Sequence, residues 1–312
     1  ANDAIGSDAQ YNTVAGTNAG DSFTGTDAES NTLIGYNAGT AITTANNNVA
    51  VGRGALAADT TGGANVAIGR NSLTTNSTAS NNTAIGYESL KLNTTGTENV
   101  AVGKGALEAN TTADANSAFG FEALKVNTTG ANNTAFGRKS LRLNTTGAEN
   151  TAIGRNALNA NTTANGNSAV GKDALVSSTT GQFNTTLGAY SATTLTTGSY
   201  NTAIGKDALR LTTTADHNTS IGYQSLFANT TGENNVALGS FALDANTTGD
   251  HNIAIGKNAL GVSTTGSYNV AVGLQALDAN TTASNNTGIG ANALGANTTG
   301  NYNTAVGYNS LA

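Results

Sequence analysis

The sequence predicts an all-β protein: a parallel β-solenoid (β-roll) of about seventeen 17-residue coils behind a short-coil N-terminal cap. Glycine recurs at every seventeenth residue from Gly35 to Gly307, and an asparagine stands four residues before each of these glycines. A strict short period means that one supersecondary unit is stacked on itself, so each coil has to cover only its neighbours. The apolar fraction of 38% is low for a globular core in 312 residues and sufficient for such a stack.

The composition excludes several classes of protein. The absence of cysteine rules out disulfide frameworks and thiolate metal sites. No apolar run reaches the length of a membrane span, so we expect no membrane insertion. The net charge of −6 disfavours nucleic acid as a partner. We therefore expect an extracellular, cell-surface or virion protein.

The glycine spacing divides the chain into residues 1–34, an acidic cap or junction, and residues 35–312, the repeat rod. Within the cap the glycines are nine or ten residues apart, which predicts shorter coils. Its turns are rich in glycine and aspartate, and such turns bind calcium in some solenoids, so Asp21 and Asp27 are possible metal ligands. Otherwise we expect no cofactor.

The chain stops at Ala312, halfway through a coil, and a strand edge left open in this way is usually covered or paired. Another subunit or further chain is expected to continue the stack there. The segment Asn309–Ala312 is predicted to join Asn2–Gly6 of a second copy, so that copies add end to end.

Alternation of apolar and polar residues predicts two strands in each coil. In the coil that begins at Asn150, the first strand ends at Ile153, which is expected to point inward. The second strand, Leu158–Thr162, would place Leu158 and Ala160 inside. Glycine between the strands permits a sharp turn, and the turn glycines include Gly52, Gly69, Gly86, Gly103, Gly120, Gly137 and Gly154.

The asparagines that precede the turn glycines are predicted to form a ladder in which each amide bonds to the next coil. We call this the Asn ladder, and it includes Asn48, Asn65, Asn82, Asn99, Asn116, Asn133, Asn150 and Asn167.

The position three residues after each turn glycine is always a small residue, and these positions form a column along the stack. Strand alternation would place it on the face opposite Ile153 and Leu158, where small apolar residues suggest the close approach of another copy. An alternative is that small residues only relieve crowding at a corner. The candidate interface comprises Ala157, Ala174, Ser191, Ala208 and Ser225.

The position after each turn glycine is mostly basic or aromatic. Neighbours in this cation–aromatic column are predicted to stack one coil apart and to form cation–π pairs. The column is either a solvated structural ladder or a surface for glycans or other polyanions. Its residues include Arg53, Arg70, Tyr87, Lys104, Phe121, Arg138 and Arg155.

The segment Asn201–Gly205, which reads N-T-A-I-G and is followed by Ala208 and Leu209, resembles the N-S-V-A-I-G-x-x-A repeat of YadA-like trimeric autotransporter adhesin heads. The longer unit that ends in N-T-T-G resembles repeats in phage tail fibres. This resemblance covers nearly all of the chain. It implies a left-handed β-roll, commonly trimeric, that serves as a shaft or an adhesive head, although the 17-residue coil is longer than that of the adhesin heads.

These observations together predict a non-enzymatic structural protein with no catalytic residue, which forms an extracellular or virion fibre by homo-oligomeric and end-to-end assembly. The alternative is a surface adhesin or receptor-binding fibre that recognises cell-surface glycans through the outer columns. The T-T pairs raise ice binding as a third possibility, which is less favoured because adjacent threonines on a strand point to opposite faces.

Overall fold

The computed structural model describes residues 6–311, which form a parallel β-solenoid of about seventeen turns, as predicted. The chain divides into two compact units, Ala1–Arg155 (unit 1) and Asn156–Ala312 (unit 2). The described residues contain no helix, and therefore none long and apolar enough to cross a membrane. Residues 1–5 and residue 312, which belong to the predicted end-to-end junction, lie outside the described part of the chain.

The described part of unit 1 contains ten short strands. Strands β2 to β10 pair in parallel and in sequence, with each residue opposite its equivalent in the next coil, whereas β1 pairs antiparallel with β2. The strands are β1 Gly6–Ser7, β2 Thr13–Ala15, β3 Thr32–Ile34, β4 Val49–Val51, β5 Val66–Ile68, β6 Thr83–Ile85, β7 Val100–Val102, β8 Ser117–Phe119, β9 Thr134–Phe136 and β10 Thr151–Ile153.

Residues 156–311 of unit 2 contain nine strands, all parallel and in the same register from one coil to the next. They are β11 Ser168–Val170, β12 Thr185–Leu187, β13 Thr202–Ile204, β14 Thr219–Ile221, β15 Val236–Leu238, β16 Ile253–Ile255, β17 Val270–Val272, β18 Thr287–Ile289 and β19 Thr304–Val306.

The short coils predicted for the N-terminal cap are wrong. Thr13 of β2 lies opposite Thr32 of β3, so the chain between them makes one coil of 19 residues, not two of nine or ten. Gly16 stacks directly on Gly35, where a β-carbon would come within 2.8 Å of the Gly35 carbonyl carbon. Gly25 instead lies in a turn with no atom near its missing side chain.

The two faces of the strand are also the reverse of the prediction. Ala152 is fully buried, whereas Ile153 is 40% exposed, and the same pattern of a buried central residue holds for β3 to β19. The interior has little room beside the strand. A β-carbon added to Gly288 of β18 would lie 3.1 Å from the Ala293 carbonyl oxygen and 3.3 Å from Leu277. Alanine therefore suits the inner position, and the larger Ile, Val or Phe faces outward.

No second strand forms where alternation predicts one. Leu158 is fully buried as expected, but it adopts a left-handed backbone with φ of 52°, which breaks the period of two. The next residue to face the core is Asn161, three places later, and Ala160 lies outside it. Leucine at this place has positive φ throughout both units, a conformation that costs roughly 1–2 kcal/mol per residue and that burial of the side chain offsets.

The turn glycines occupy the corner assigned to them. Gly86 has φ of 134°, and a β-carbon on it would lie 2.7 Å from the carbonyl group of Gly103 in the next coil. The corner therefore requires glycine for its backbone conformation and for the close stacking of successive coils.

Candidate functional site

The Asn ladder is confirmed within each unit. The Asn99 side chain donates from Nδ2 to the Ala113 carbonyl at 2.8 Å, and its backbone N–H donates to Asn82 Oδ1 at 3.0 Å. The same pair of bonds recurs from coil to coil, for example at Asn133 and Asn252, and the side chains are almost completely buried. Since a buried amide without partners destabilises a fold, this column explains the strict recurrence of asparagine.

A second buried column, which strand alternation predicts on the outer face, is formed by the asparagines that begin the N-T-T segments and the N-S-T segment at Asn76. Asn93 donates from Nδ2 to Asn76 Oδ1 at 3.0 Å and to the Gly96 carbonyl at 2.9 Å. We call it the inner Asn column, and in unit 1 it comprises Asn76, Asn93, Asn110, Asn127 and Asn144. Because these amides are buried, the N-T-T sequons are not accessible to N-glycosylation in the folded chain.

One coil places an acid in the inner Asn column. Asp59 is fully buried and accepts hydrogen bonds at Oδ1 from Asn76 Nδ2 at 2.9 Å and from the Gly62 N–H at 3.2 Å. Its Oδ2 has no hydrogen-bond partner. Loss of solvation raises the pKa of this carboxyl to about 7 against those two hydrogen bonds.

The candidate interface of small residues is wrong. Ala157, Ala174, Ser191 and Ala208 are fully buried inside the chain, as is Ser225. The hydroxyl of Ser225 donates to the Gly222 carbonyl at 3.1 Å and lies 2.6 Å from Ser220 Oγ. These residues are small because they fill the interior of the coil beside the leucine column, which excludes contact with a second copy.

The outward face of the strands, and not the column of small residues, presents an exposed apolar surface. The last residue of each strand from β3 to β10 is apolar, and its exposure reaches 57% at Phe136. We call this column the apolar stripe; in unit 1 it comprises Ile34, Val51, Ile68, Ile85, Val102, Phe119, Phe136 and Ile153. The period of two in this strand is as predicted, but the residues that face inward and outward are exchanged.

The cation–aromatic column stacks as predicted. Arg70 lies over the Tyr87 ring at 5.8 Å, and Lys104 approaches the other side of that ring at 5.5 Å. The Phe121 ring lies between Lys104, at 6.0 Å, and Arg138, at 5.8 Å. All these side chains are exposed, so each contact contributes on the order of 0.5–1 kcal/mol.

Ion pairs lie beside this column. Glu122 binds Lys125 at 3.0 Å and Arg142 at 2.9 Å, and Lys125 also lies 3.5 Å from Glu108. The same cations lower the pKa of Glu122, Lys125 most strongly. Lys91 forms a further ion pair with Glu88 at 2.9 Å.

The metal prediction gains no support from the geometry. Asp21 and Asp27 are both exposed, and the described residues contain no group of three or more His, Cys, Asp or Glu side chains that could hold a metal ion. The two histidines of the chain both stack on tyrosines: His217 lies on Tyr200 with ring centroids 5.0 Å apart, and His251 lies on Tyr268 at the same separation.

Comparison with models of protein families and with curated proteins finds no match for this chain.

Proposed function

We propose that this protein is a structural β-solenoid whose copies associate side by side through the apolar stripe, and that it forms the shaft of an extracellular or virion fibre. The observation that carries the proposal is the stripe itself. Exposed apolar residues are normally scattered singly on a monomeric protein, whereas a contiguous apolar patch marks an interaction surface.

The size of the stripe suits a stable interface. If each coil contributes on the order of 100 Å² from the stripe residue and the residue two places before it, eight coils supply about 800 Å², the usual area per partner. The neighbouring column consists of Thr, Val or Ser, for example Thr83 and Val100, which are only partly exposed and carry no charge. An uncharged, largely apolar sheet face of this kind fits an identical face of a second copy.

The resemblance of the repeat to adhesin heads and tail fibres supports an extracellular or virion location. Three copies around an axis and larger lateral assemblies would each cover the stripe.

The proposal is tested by placing charge on the stripe. In a triple variant, Ile68→Lys, Ile85→Lys and Ile153→Lys, we expect the oligomer to dissociate to a monomer with unchanged circular dichroism, measured by light scattering and native mass spectrometry. Leu92→Lys with Leu143→Lys is the matched control, because these leucines are exposed by 42% and 37% in another column. A monomeric wild-type protein, or dissociation by the control alone, would refute the proposal.

A further inference from the structure

The basic residues of unit 1 are confined to one edge of the solenoid. All nine lie at three places of the coil: directly after the turn glycine, one residue later, and directly after the buried leucine. These three places contain only three acidic residues, Glu88, Glu108 and Glu122, so the edge has nine positive and three negative charges, a net of +6. The basic edge, as we call it, comprises Arg53, Arg70, Lys91, Lys104, Lys125, Arg138, Lys139, Arg142 and Arg155.

The positive charge of this edge is opposite in sign to the net charge of the whole chain, which is −6. Three further acids of the same coils, Glu98, Asp114 and Glu149, lie in the segment that precedes the strand. Segregation of this kind gives a local positive potential that attracts anions in spite of the overall charge, and added salt screens the attraction.

Four cations of the edge have no carboxylate partner. Arg53, Arg70, Lys104 and Arg138 are exposed, and none of them lies within 4.0 Å of a carboxylate among the described residues. Each instead lies over an aromatic ring, at 5.7 Å for Arg53 over Tyr36 and at similar distances for the others. The rings thus support a row of cations whose spacing is one or two coils, about 5–10 Å.

We propose that the basic edge of unit 1 binds a linear anionic polysaccharide, sulfated or carboxylated, that runs along the stacking direction of the coils. A chain of acidic sugars carries its charges at short regular intervals, and the row of cations offers complementary charges at short regular intervals. The ligand would bind across an exposed edge, so its affinity would come mainly from the release of counterions and fall steeply with salt.

The stacking geometry favours a polysaccharide over nucleic acid. Proteins that bind single strands stack bases on free aromatic faces. Here Tyr87 has a cation on each face, and so does Phe121. Duplex DNA is read by a helix or a β-ribbon in the major groove, and the described residues of this edge form neither.

Unit 2 provides an internal control because it has the same three places without the excess charge. They contain four basic residues, Lys172, Lys206, Arg210 and Lys257, and four acidic ones, Asp173, Asp207, Asp244 and Asp278, so their net charge is zero. Asp207 is nearly buried and binds both Lys206, at 2.6 Å, and Arg210, at 2.9 Å. The corresponding edge of unit 2 is therefore expected not to bind polyanions.

The test uses the full chain with heparin and polygalacturonate as sulfated and carboxylated probes, and uncharged dextran as the blank. We expect heparin to bind at low salt, and the variant Arg53→Gln, Arg70→Gln, Arg138→Gln to bind at least tenfold more weakly. If each lost cation releases about one counterion fewer, the slope of log K against log salt falls by about 3. The control Lys172→Gln, Lys206→Gln, Lys257→Gln should change the affinity less than twofold.

Three results would overturn the proposal. The first is no binding of either acidic probe by the wild type at low salt, and the second is an equal loss in the unit 1 and unit 2 variants, which would indicate only bulk charge. The third is tighter binding of oligo(dT) or duplex DNA than of heparin, which would assign the edge to nucleic acid. The apolar-stripe variant keeps all nine residues of the basic edge, so it should still bind heparin even when it is monomeric. Loss of lateral assembly can therefore be distinguished from loss of this binding site.

Discussion

Asp59 makes the stability of unit 1 depend on pH in an unusual direction. In the inner Asn column, the amide of Asn76 donates to the Ala79 carbonyl of its own coil at 2.9 Å. The corresponding partner for Asp59 is the Gly62 carbonyl, to which an ionised carboxylate cannot donate. A protonated Asp59 can donate there and so imitate asparagine. The preceding coil has buried Ile42 in this column, so no polar group reaches the carboxyl from that side.

The sign of the effect follows from the raised pKa. Well below pH 3.8 the carboxyl is protonated in the folded and the unfolded chain, and the fold carries no penalty. As the pH rises from the ordinary value of 3.8 to about 7, the unfolded chain loses this proton while the folded chain retains it. Each pH unit in this window lowers the free energy of unfolding by about 1.4 kcal/mol, so the total loss is about 4 kcal/mol. No ionisable neighbour contributes to the shift.

The perturbation is Asp59→Asn, which supplies the missing donor and cannot ionise. We expect the variant to be up to about 4 kcal/mol more stable than the wild type at pH 8 and within about 1 kcal/mol of it at pH 4. The assay is guanidinium unfolding at several pH values, with amide exchange of residues 48–81 as a local readout. The difference between the two proteins cancels the titration of the other carboxylates.

Asp114→Asn serves as the matched control, because the exposed Asp114 only accepts hydrogen bonds from the Thr97 backbone N–H and hydroxyl. It should not gain stability at pH 8. A constant difference between the stabilities of Asp59→Asn and the wild type from pH 4 to pH 8 would mean that Asp59 is not held neutral in the folded chain.

Three further predictions concern the coil itself. Deletion of Asn82–Glu98 should leave circular dichroism and protease resistance nearly unchanged, whereas deletion of residues 91–98 should lower both, because only the shorter deletion breaks the 17-residue register; equal damage would contradict the model. Asn110→Ala should lower the free energy of unfolding by about 2–3 kcal/mol, since it leaves buried Asn93 Oδ1 without its donor and removes one of the two hydrogen bonds made by the Ala113 carbonyl and by Asn127 Nδ2; exposed Thr95→Ala should change it by less than about 0.5 kcal/mol. Leu33→Ala should lower the free energy of unfolding by about 2–5 kcal/mol. Gly39→Leu should also destabilise the protein on its own, but in the double variant it should restore part of the stability lost at Leu33. Additive effects of the two substitutions would contradict the inference that both side chains fill one space.

The period, the register and the roles of glycine and the first asparagine could be predicted because they depend only on repetition. A change of one residue in spacing would move every downstream column, so an unbroken period fixes which residues stack. The cation–π order around Tyr87 and Phe121 followed from the same argument, since stacking distance is set by the coil and not by side-chain detail.

The direction of each side chain could not be obtained from the period alone. Both Ala152 and Ile153 recur every coil, and hydrophobicity alone favours burial of the larger residue. The width of the interior determines which residue is buried. That width depends on the left-handed backbone at Leu158, a conformation that a leucine in the sequence does not predict. The inner Asn column could not be predicted for the same reason. Strand alternation places the residue three positions after the leucine outside, whereas the left-handed backbone at the leucine turns it inward.

A signal for the correct phase was nevertheless present in the two coils that lack the inward leucine. Gly39 replaces it in one coil, and there the central strand residue is Leu33 instead of alanine; Ala192 replaces it in another, and there the central residue is Thr186. In the structure a β-carbon on Gly39 would lie 2.8 Å from Leu33 Cδ2, so the two positions fill one common space. When one residue of a pair shrinks and the other grows in the same coil, both must face the core. That rule alone would have placed alanine inside and the isoleucine stripe outside, and it moves the proposed assembly surface from a buried column to an exposed one.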